Sequence, residues 1–234
     1  MPGLNGSSAA AAVAAPRSRR SLRRLFIVGA GGLGRELEAW LGRTPAGERD
    51  WGIEGFLDDN PDALAGCPSD YPVIARLDSF RFSAEDLVVL AVSRPQAKRA
   101  VVERLEGRVE FLTFLAPDLV TGKGVRIGRG SVVGMNCMLT TNVEVGEFVT
   151  INCHSSVGHD SRIGAYASLM GHAMVSGKCR LGEDAYLGAG ATLIQGIGVG
   201  DRAVVAAGAV VFRNVKPGAT VVGNPARLFL DAPK

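Results

Sequence analysis

The sequence predicts two unlike folds in one chain: a small Rossmann-like α/β half-fold (βαβαβ), then a parallel β-helix of hexapeptide repeats. Three observations predict it. A strand, a glycine turn and a helix follow one another at 25–41, and an aliphatic residue recurs every six positions from Ile127 to Val211. Aromatic residues make up only 6% of the 234, while hydrophobic residues make up 47%, so the core is built from aliphatic side chains. The boundaries read from these signals are an extension over 1–22 expected to be disordered, an α/β domain over 23–116, a β-helix over 117–212 and a C-terminal tail over 213–234.

Arg17, Arg19, Arg20, Arg23 and Arg24 all come before any acidic residue. The net charge of +3 and the pI of about 8.8 therefore report a basic tail and not a nucleic-acid surface. Its short apolar stretch at 9–13 precedes the arginines, the reverse of a secretion signal. No apolar run reaches the roughly 18 residues that a membrane span requires. Cys67, Cys137, Cys153 and Cys179 form no CxxC pair, so neither a zinc ribbon nor a redox dithiol is expected. A cytoplasmic protein is the expectation.

In the half-fold, Leu25, Phe26, Ile27 and Val28 run into Gly29-Ala30-Gly31-Gly32-Leu33-Gly34, and a helix follows from Arg35. Glycines there allow a tight turn and bring bare N–H groups, with the positive end of the helix, toward an anion. A second strand at 53–57 ends in Asp58 and Asp59, which a parallel sheet places beside that turn. A third strand at 87–92 and a helix at 95–105 complete about 95 residues. Half a dinucleotide fold suits a mononucleotide handle better than a redox dinucleotide. The plain alternative is a glycine turn that binds nothing.

From Ile127 the repeat continues without a gap through Ile151, Leu169, Leu187 and Val205 to Val211, fifteen aliphatic positions in all. Small residues such as Cys137, Ala167 and Ala185 stand two places before the aliphatic ones. Gly128, Gly146, Gly164, Gly182 and Gly200 lie 18 apart. Three six-residue sides per coil give a triangular prism of about five coils, roughly 24 Å tall at the spacing of parallel strands. The glycines are read as a tolerant turn at one recurring edge.

All three histidines lie in the repeat. His154 and His172 are 18 apart and stack in one column with Asn136 below, an arrangement that suits subunit packing. His159 precedes Asp160, a carboxylate able to fix one tautomer and raise basicity, and Gly177 stands one coil on. An imidazole base and a bare amide donor then face one reacting carbonyl. The alternative makes His159 and Asp160 solvated turn residues.

With these residues in place, the chain resembles the bacterial sugar acetyltransferases of the sialic-acid O-acetyltransferase (NeuD-type) group, which includes bacillosamine-pathway and perosamine N-acetyltransferases. The resemblance covers about 24–230. It rests on the 27–34 glycine turn, Leu57-Asp58-Asp59, Gly158-His159-Asp160, the hexapeptides and Val222-Gly223-Asn224-Pro225-Ala226-Arg227. It implies a left-handed β-helix, a homotrimer with acetyl-CoA in grooves between rods, no metal, and an N-terminal domain holding a nucleotide-linked sugar. His159 matches the general base and Asp160 its supporting acid. Gly177, Ser168, Ala189 and Ala207 match acetyl-CoA contacts, and Gly29, Gly31, Gly32, Leu33, Asp58 and Asp59 the nucleotide-sugar site. Some relatives carry His where this chain has Leu33 and Ser168.

The implied reaction is direct acetyl transfer to a nucleotide-linked amino sugar, with O-acetylation of a hydroxyl as the alternative. An acetyl-Cys179 intermediate is a minor one. A γ-class carbonic anhydrase resemblance, through the spacing of His154 and His159, gives a distant metalloenzyme reading, and a nucleotide sensor scaffolded on an inert rod gives a non-enzymatic one.

Overall fold

The computed structural model describes residues 22–230, so the expected extension lies, but for Leu22, outside the described residues. Arg23 and Arg24 do not belong to a tail. They open β1 (Arg23–Val28), where Arg23 pairs with Glu110 and Arg24 with the buried Asp86, so the positive charges tie down a strand.

The central residues of β1 are apolar and buried on both faces, as the middle of a covered parallel sheet requires. Helix α1 (Gly32–Gly42) follows, then β2 (Trp51–Leu57), β3 (Val73–Ala75), β4 (Leu87–Leu90), α2 (Pro95–Leu105) and β5 (Glu110–Phe111). The sheet is parallel throughout, in the order β3-β2-β1-β4-β5. Sequence reading missed β3 and β5, which are only three and two residues long. The chain leaves β1 on one side and returns on the other, opening a crevice at the carboxyl ends of β1 and β4.

The rod is a left-handed parallel β-helix whose three walls are stacks of two-residue strands. The first wall runs Phe114–Leu115, Val132–Val133, Thr150–Ile151, Ser168–Leu169, Tyr186–Leu187 and Val204–Val205, and continues into Thr220–Val222 and the antiparallel Arg227–Leu230. The second runs Val120–Thr121, Met138–Leu139, Ser156–Val157, Met174–Val175, Thr192–Leu193 and Val210–Val211. The third holds Arg126–Ile127, Glu144–Val145, Arg162–Ile163, Arg180–Leu181 and Gly198–Val199. The prism begins at Phe114, two sides before the regular repeat starts at Ile127, and Thr121 interrupts the aliphatic column between them. Inward Leu139, Ile151, Leu169, Leu187 and Val205 are fully buried, with Ala167, Ala185 and Ala203 filling the tight corners between them.

The recurring glycines serve a purpose different from the expected turn. The corner residue with positive φ lies two places further on and recurs at every sixth position from Gly124 to Gly208, with φ of 55–79° even where it is Asn, Asp, His, Phe or Tyr. The glycines at 146 and 164 are instead required by coil stacking: a Cβ there would lie 2.7 Å from Ala165 N and 2.6 Å from the Gly182 carbonyl carbon.

The half-fold packs against the first wall. Trp40 covers Gly134, Phe111 meets Phe148 edge-on with ring centroids 5.0 Å apart, and α2 inserts Lys98 into the wall.

Candidate active site

His159 and Asp160 form the corner between the second and third walls. The corner conformation, φ 59° at Asp160, turns its carboxylate back toward the imidazole, and Nδ1–H of His159 donates to Asp160 Oδ2 at 2.8 Å. Asn142, one coil below in the same column, donates to Asp160 Oδ1 at 3.2 Å. These two hydrogen bonds, that from His159 foremost, hold the Asp160 carboxyl below its ordinary value. With Nδ1 engaged, Nε2 is left as the ring's basic atom.

That atom lies over Gly177. A Cβ on Gly177 would stand 2.5 Å from His159 Nε2 and 2.7 Å from Cε1, so the missing side chain is the space that the imidazole occupies. Gly158 answers the same demand one residue earlier, since its Cβ would lie 2.5 Å from Gly177 N. Lys178 N donates to His159 O at 2.7 Å and fixes the two coils in register. Both side chains of the pair remain about half exposed, so a reactant can reach them.

The glycine turn borders a cleft of about 240 Å³ at the carboxyl end of the sheet, lined by Gly29, Asp58 and Asp59 and, from α2, Ala97, Val101 and Arg104. Gly29 has φ 101°, and a Cβ at Gly34 would collide with the Gly29 carbonyl, so strand and helix meet here at backbone distance. Gly31 and Gly32 face open space, and no side chain caps α1. Free N–H groups at the positive helix end favour a phosphate.

The remaining expected positions take the following places. Asp58 turns inward: Oδ2 accepts from Ala30 N at 2.7 Å and Oδ1 from Asn60 N at 2.8 Å, so the carboxylate shapes the turn. Asp59 accepts from Leu77 N and from Arg104, each at 3.3 Å. Leu33 packs partly into the apolar cluster beneath α1. Ser168, expected as an acetyl-CoA contact, is fully buried in the first wall, where it accepts from Lys98 Nζ at 3.0 Å. It points under α2 and not into a groove. Ala189 and Ala207 are exposed but lie at the corner of the first and second walls, across the second wall from His159. His154 and His172 stack at that same corner, ring centroids 4.8 Å apart and planes within 6°. Within one chain, therefore, His154 and His159 do not converge on one ion.

Cys179 is fully buried, its thiol donates to Ile194 O at 3.2 Å, and burial pushes its pKa up. A nucleophilic acetyl-cysteine at this position has neither access nor thiolate character. Sequence reading missed Arg104 as a cation at the cleft and Lys98 as a buried one; the signal for Lys98 is its helical spacing, i, i+4 and i+7, with the apolar Val102 and Leu105.

Comparison with known proteins covers both halves. A family model described as the PglD N-terminal domain matches 24–105, and one described as the hexapeptide repeat of succinyl-transferase matches 120–141 and 179–213. The acetyltransferase domain of PglB from Neisseria gonorrhoeae FA1090 superposes with a TM-score of 0.80 at 30% identity, over 88% of this chain and 100% of that one. The same domain is known in complex with acetyl coenzyme A. WeeI from Acinetobacter baumannii AYE gives 0.77 at 32% identity, over 88% and 100%. PerB from Caulobacter crescentus, in complex with CoA and GDP-perosamine, gives 0.77 at 25% identity, over 88% and 96%. Among curated proteins no match is found. With a half-fold, a rod and a His-Asp corner in one order, and with relatives of 30% and 32% identity matched along their whole length, this chain belongs to the NeuD-type hexapeptide-repeat sugar acetyltransferases.

Proposed function

We propose that this enzyme transfers an acetyl group from acetyl-CoA to the amine of a nucleotide-linked amino sugar, with His159 as general base. The observation that carries this reading is the His159 ring, tied by Nδ1 to Asp160 at 2.8 Å with Nε2 over the bare backbone of Gly177. In the reaction His159 Nε2 removes a proton as the amine nitrogen attacks the thioester carbonyl. The Gly177 N–H, engaged by no acceptor among the described residues, stabilises the tetrahedral oxyanion. The C–S bond then breaks, and the imidazolium returns its proton to the departing thiolate.

Support comes from two relatives, the PglB domain in complex with acetyl coenzyme A and PerB in complex with CoA and GDP-perosamine. The glycine turn and the cleft beside it would hold the nucleotide. A homotrimer accompanies this reading, because the second wall presents Val120, Met138 and Met174 to solvent, about half exposed each, while α2 covers the first wall and the third carries Arg126, Glu144 and Arg162. No helix among the described residues is long and apolar enough to cross a membrane.

The test is thiol release from acetyl-CoA against UDP-, GDP- and dTDP-linked amino sugars, with His159→Ala alongside. Turnover with at least one of them, reduced 10²-fold or more in the variant, is expected. Turnover only with sugars that lack an amine would move the assignment to O-acetylation, and full activity of the variant would overturn the role of His159.

A further inference from the structure

Helix α2 meets the two halves of the molecule with different residues. Ala97, Val101 and Arg104, at i, i+4 and i+7, line the cleft beside the glycine turn. Lys98, Val102 and Leu105, one position round the helix, are buried. Lys98 crosses into the rod, and its Nζ is enclosed by five oxygens belonging to two successive coils. They are Phe148 O and Thr150 Oγ1 at 2.9 Å, Ser168 Oγ at 3.0 Å, and Tyr166 O and Ala167 O at 3.3 Å. Next to it Arg99 pairs with Asp184 at 2.8 Å and with Glu183 at 3.4 Å, and its guanidinium lies 3.9 Å over the Tyr166 ring.

We propose that Lys98 is a positioning residue for the acetyl transfer: by fixing α2 to the first wall, opposite the corner that bears His159, it holds the nucleotide cleft in a set register on the rod, so that in the trimer proposed above the handle delivers the sugar amine to the His159 of a neighbouring rod. This rests on the function proposed above. A helix that needed only apolar burial would carry Leu or Met here. A lysine that is 1% exposed and has no carboxylate in hydrogen-bond contact is costly, and its three N–H donors, shared among five oxygens, fix a register that apolar packing alone leaves free to slide. Burial pushes its pKa down to about 7, against a pull upward from Asp184. The three carbonyl oxygens of the cage accept from Nζ–H groups, and the Thr150 and Ser168 hydroxyls can accept from an ammonium or donate to an amine, so the cage holds Nζ in either form. The charged and titratable groups around it are Asp184, Glu183 and Tyr166 from the rod and Arg99 from its own helix.

The experiment compares Lys98→Met with the wild type on two acceptors, a nucleotide-linked amino sugar and the same amino sugar without its nucleotide. Calorimetry measures the affinity of each protein for the free nucleoside diphosphate. Expected is a fall of at least tenfold in kcat/KM for the nucleotide-linked acceptor, with the bare sugar, the KM for acetyl-CoA and the nucleoside diphosphate affinity unchanged. Equal losses on both acceptors, a parallel loss of nucleoside diphosphate affinity, or no change would each overturn the proposal. If Lys98→Met does not fold, Arg99→Met at the same joint decides: a selective loss on the nucleotide-linked acceptor supports the proposal, and unchanged discrimination overturns it. A wild type that acetylates no nucleotide-linked sugar would instead overturn the function, and that result is read before any variant is compared.

Discussion

A methyl group at Gly177 tests the active-site geometry directly. Its position is fixed by the backbone, 2.5 Å from His159 Nε2, 2.7 Å from Cε1 and 2.8 Å from Cδ2, where ordinary contact needs about 3.5 Å. The ring must retreat by roughly 1 Å, which carries its 2.8 Å hydrogen bond to Asp160 beyond useful range. A general base misplaced by that much costs about 10²-fold in rate, close to 3 kcal/mol of barrier. The fold is spared: the imidazole is half exposed and can swing into solvent, so thermal unfolding of Gly177→Ala should stay within about 2 °C of the wild type. The assay is steady-state thiol release for Gly177→Ala, His159→Ala and the double variant. Because alanine keeps its N–H, the double variant should be no slower than His159→Ala alone. Full activity of Gly177→Ala would refute the clearance reasoning, and so would a double variant well below His159→Ala.

Three further outcomes follow from the same structure. Asp160→Asn should slow turnover about tenfold in steady-state thiol release at about pH 8, since it removes the carboxylate that holds the ring; Asp160 titrates below the ordinary range, so its contribution persists above about pH 4 and is lost only as pH falls through that depressed value. Burial by itself would raise the Asp86 carboxyl, but hydrogen bonds from Arg24 and Ser83 outweigh it and the net shift is downward. Its stabilising contribution is therefore full above the unfolded value and disappears on acidification below about pH 4: Asp86→Asn should cost about 2 kcal/mol in urea melts at pH 7, a gap that narrows in acid. Met174→Glu should convert the proposed trimer to monomers in light scattering by placing a charge on the apolar second wall.

The rod was legible because its physics is local and repeated: Leu139, Val157 and Val175 must each face a narrow axis, and nothing distant changes that. His159 and Gly177 were legible for the same reason, as the 18-residue coil puts them on adjacent rungs. The period carries no information about which wall another domain covers. Ser168 therefore looked available when α2 in fact lies over it, and the cage around Lys98 was not legible because its partners sit 50–70 residues away and include backbone carbonyls. Asp58 was placed in the right neighbourhood by strand length, but the direction of its carboxylate depends on the N–H of Ala30. The glycines at 146 and 164 were read from their frequency in turns, whereas their cause is the proximity of the next coil.

That proximity limits how such a molecule can change in length. Deleting a single amino acid from the rod would move a side chain onto an edge that excludes even a methyl group and take a corner residue out of its left-handed setting, for every coil downstream. Within the regular repeat, growth or loss therefore comes in whole coils of 18, each lifting whatever stands at the far end by about 5 Å, and only the last coil, where Val204 pairs with Thr220, departs from that length. The prism thus works as a ratchet with one tooth size, and the span from His159 to its last rung is quantised.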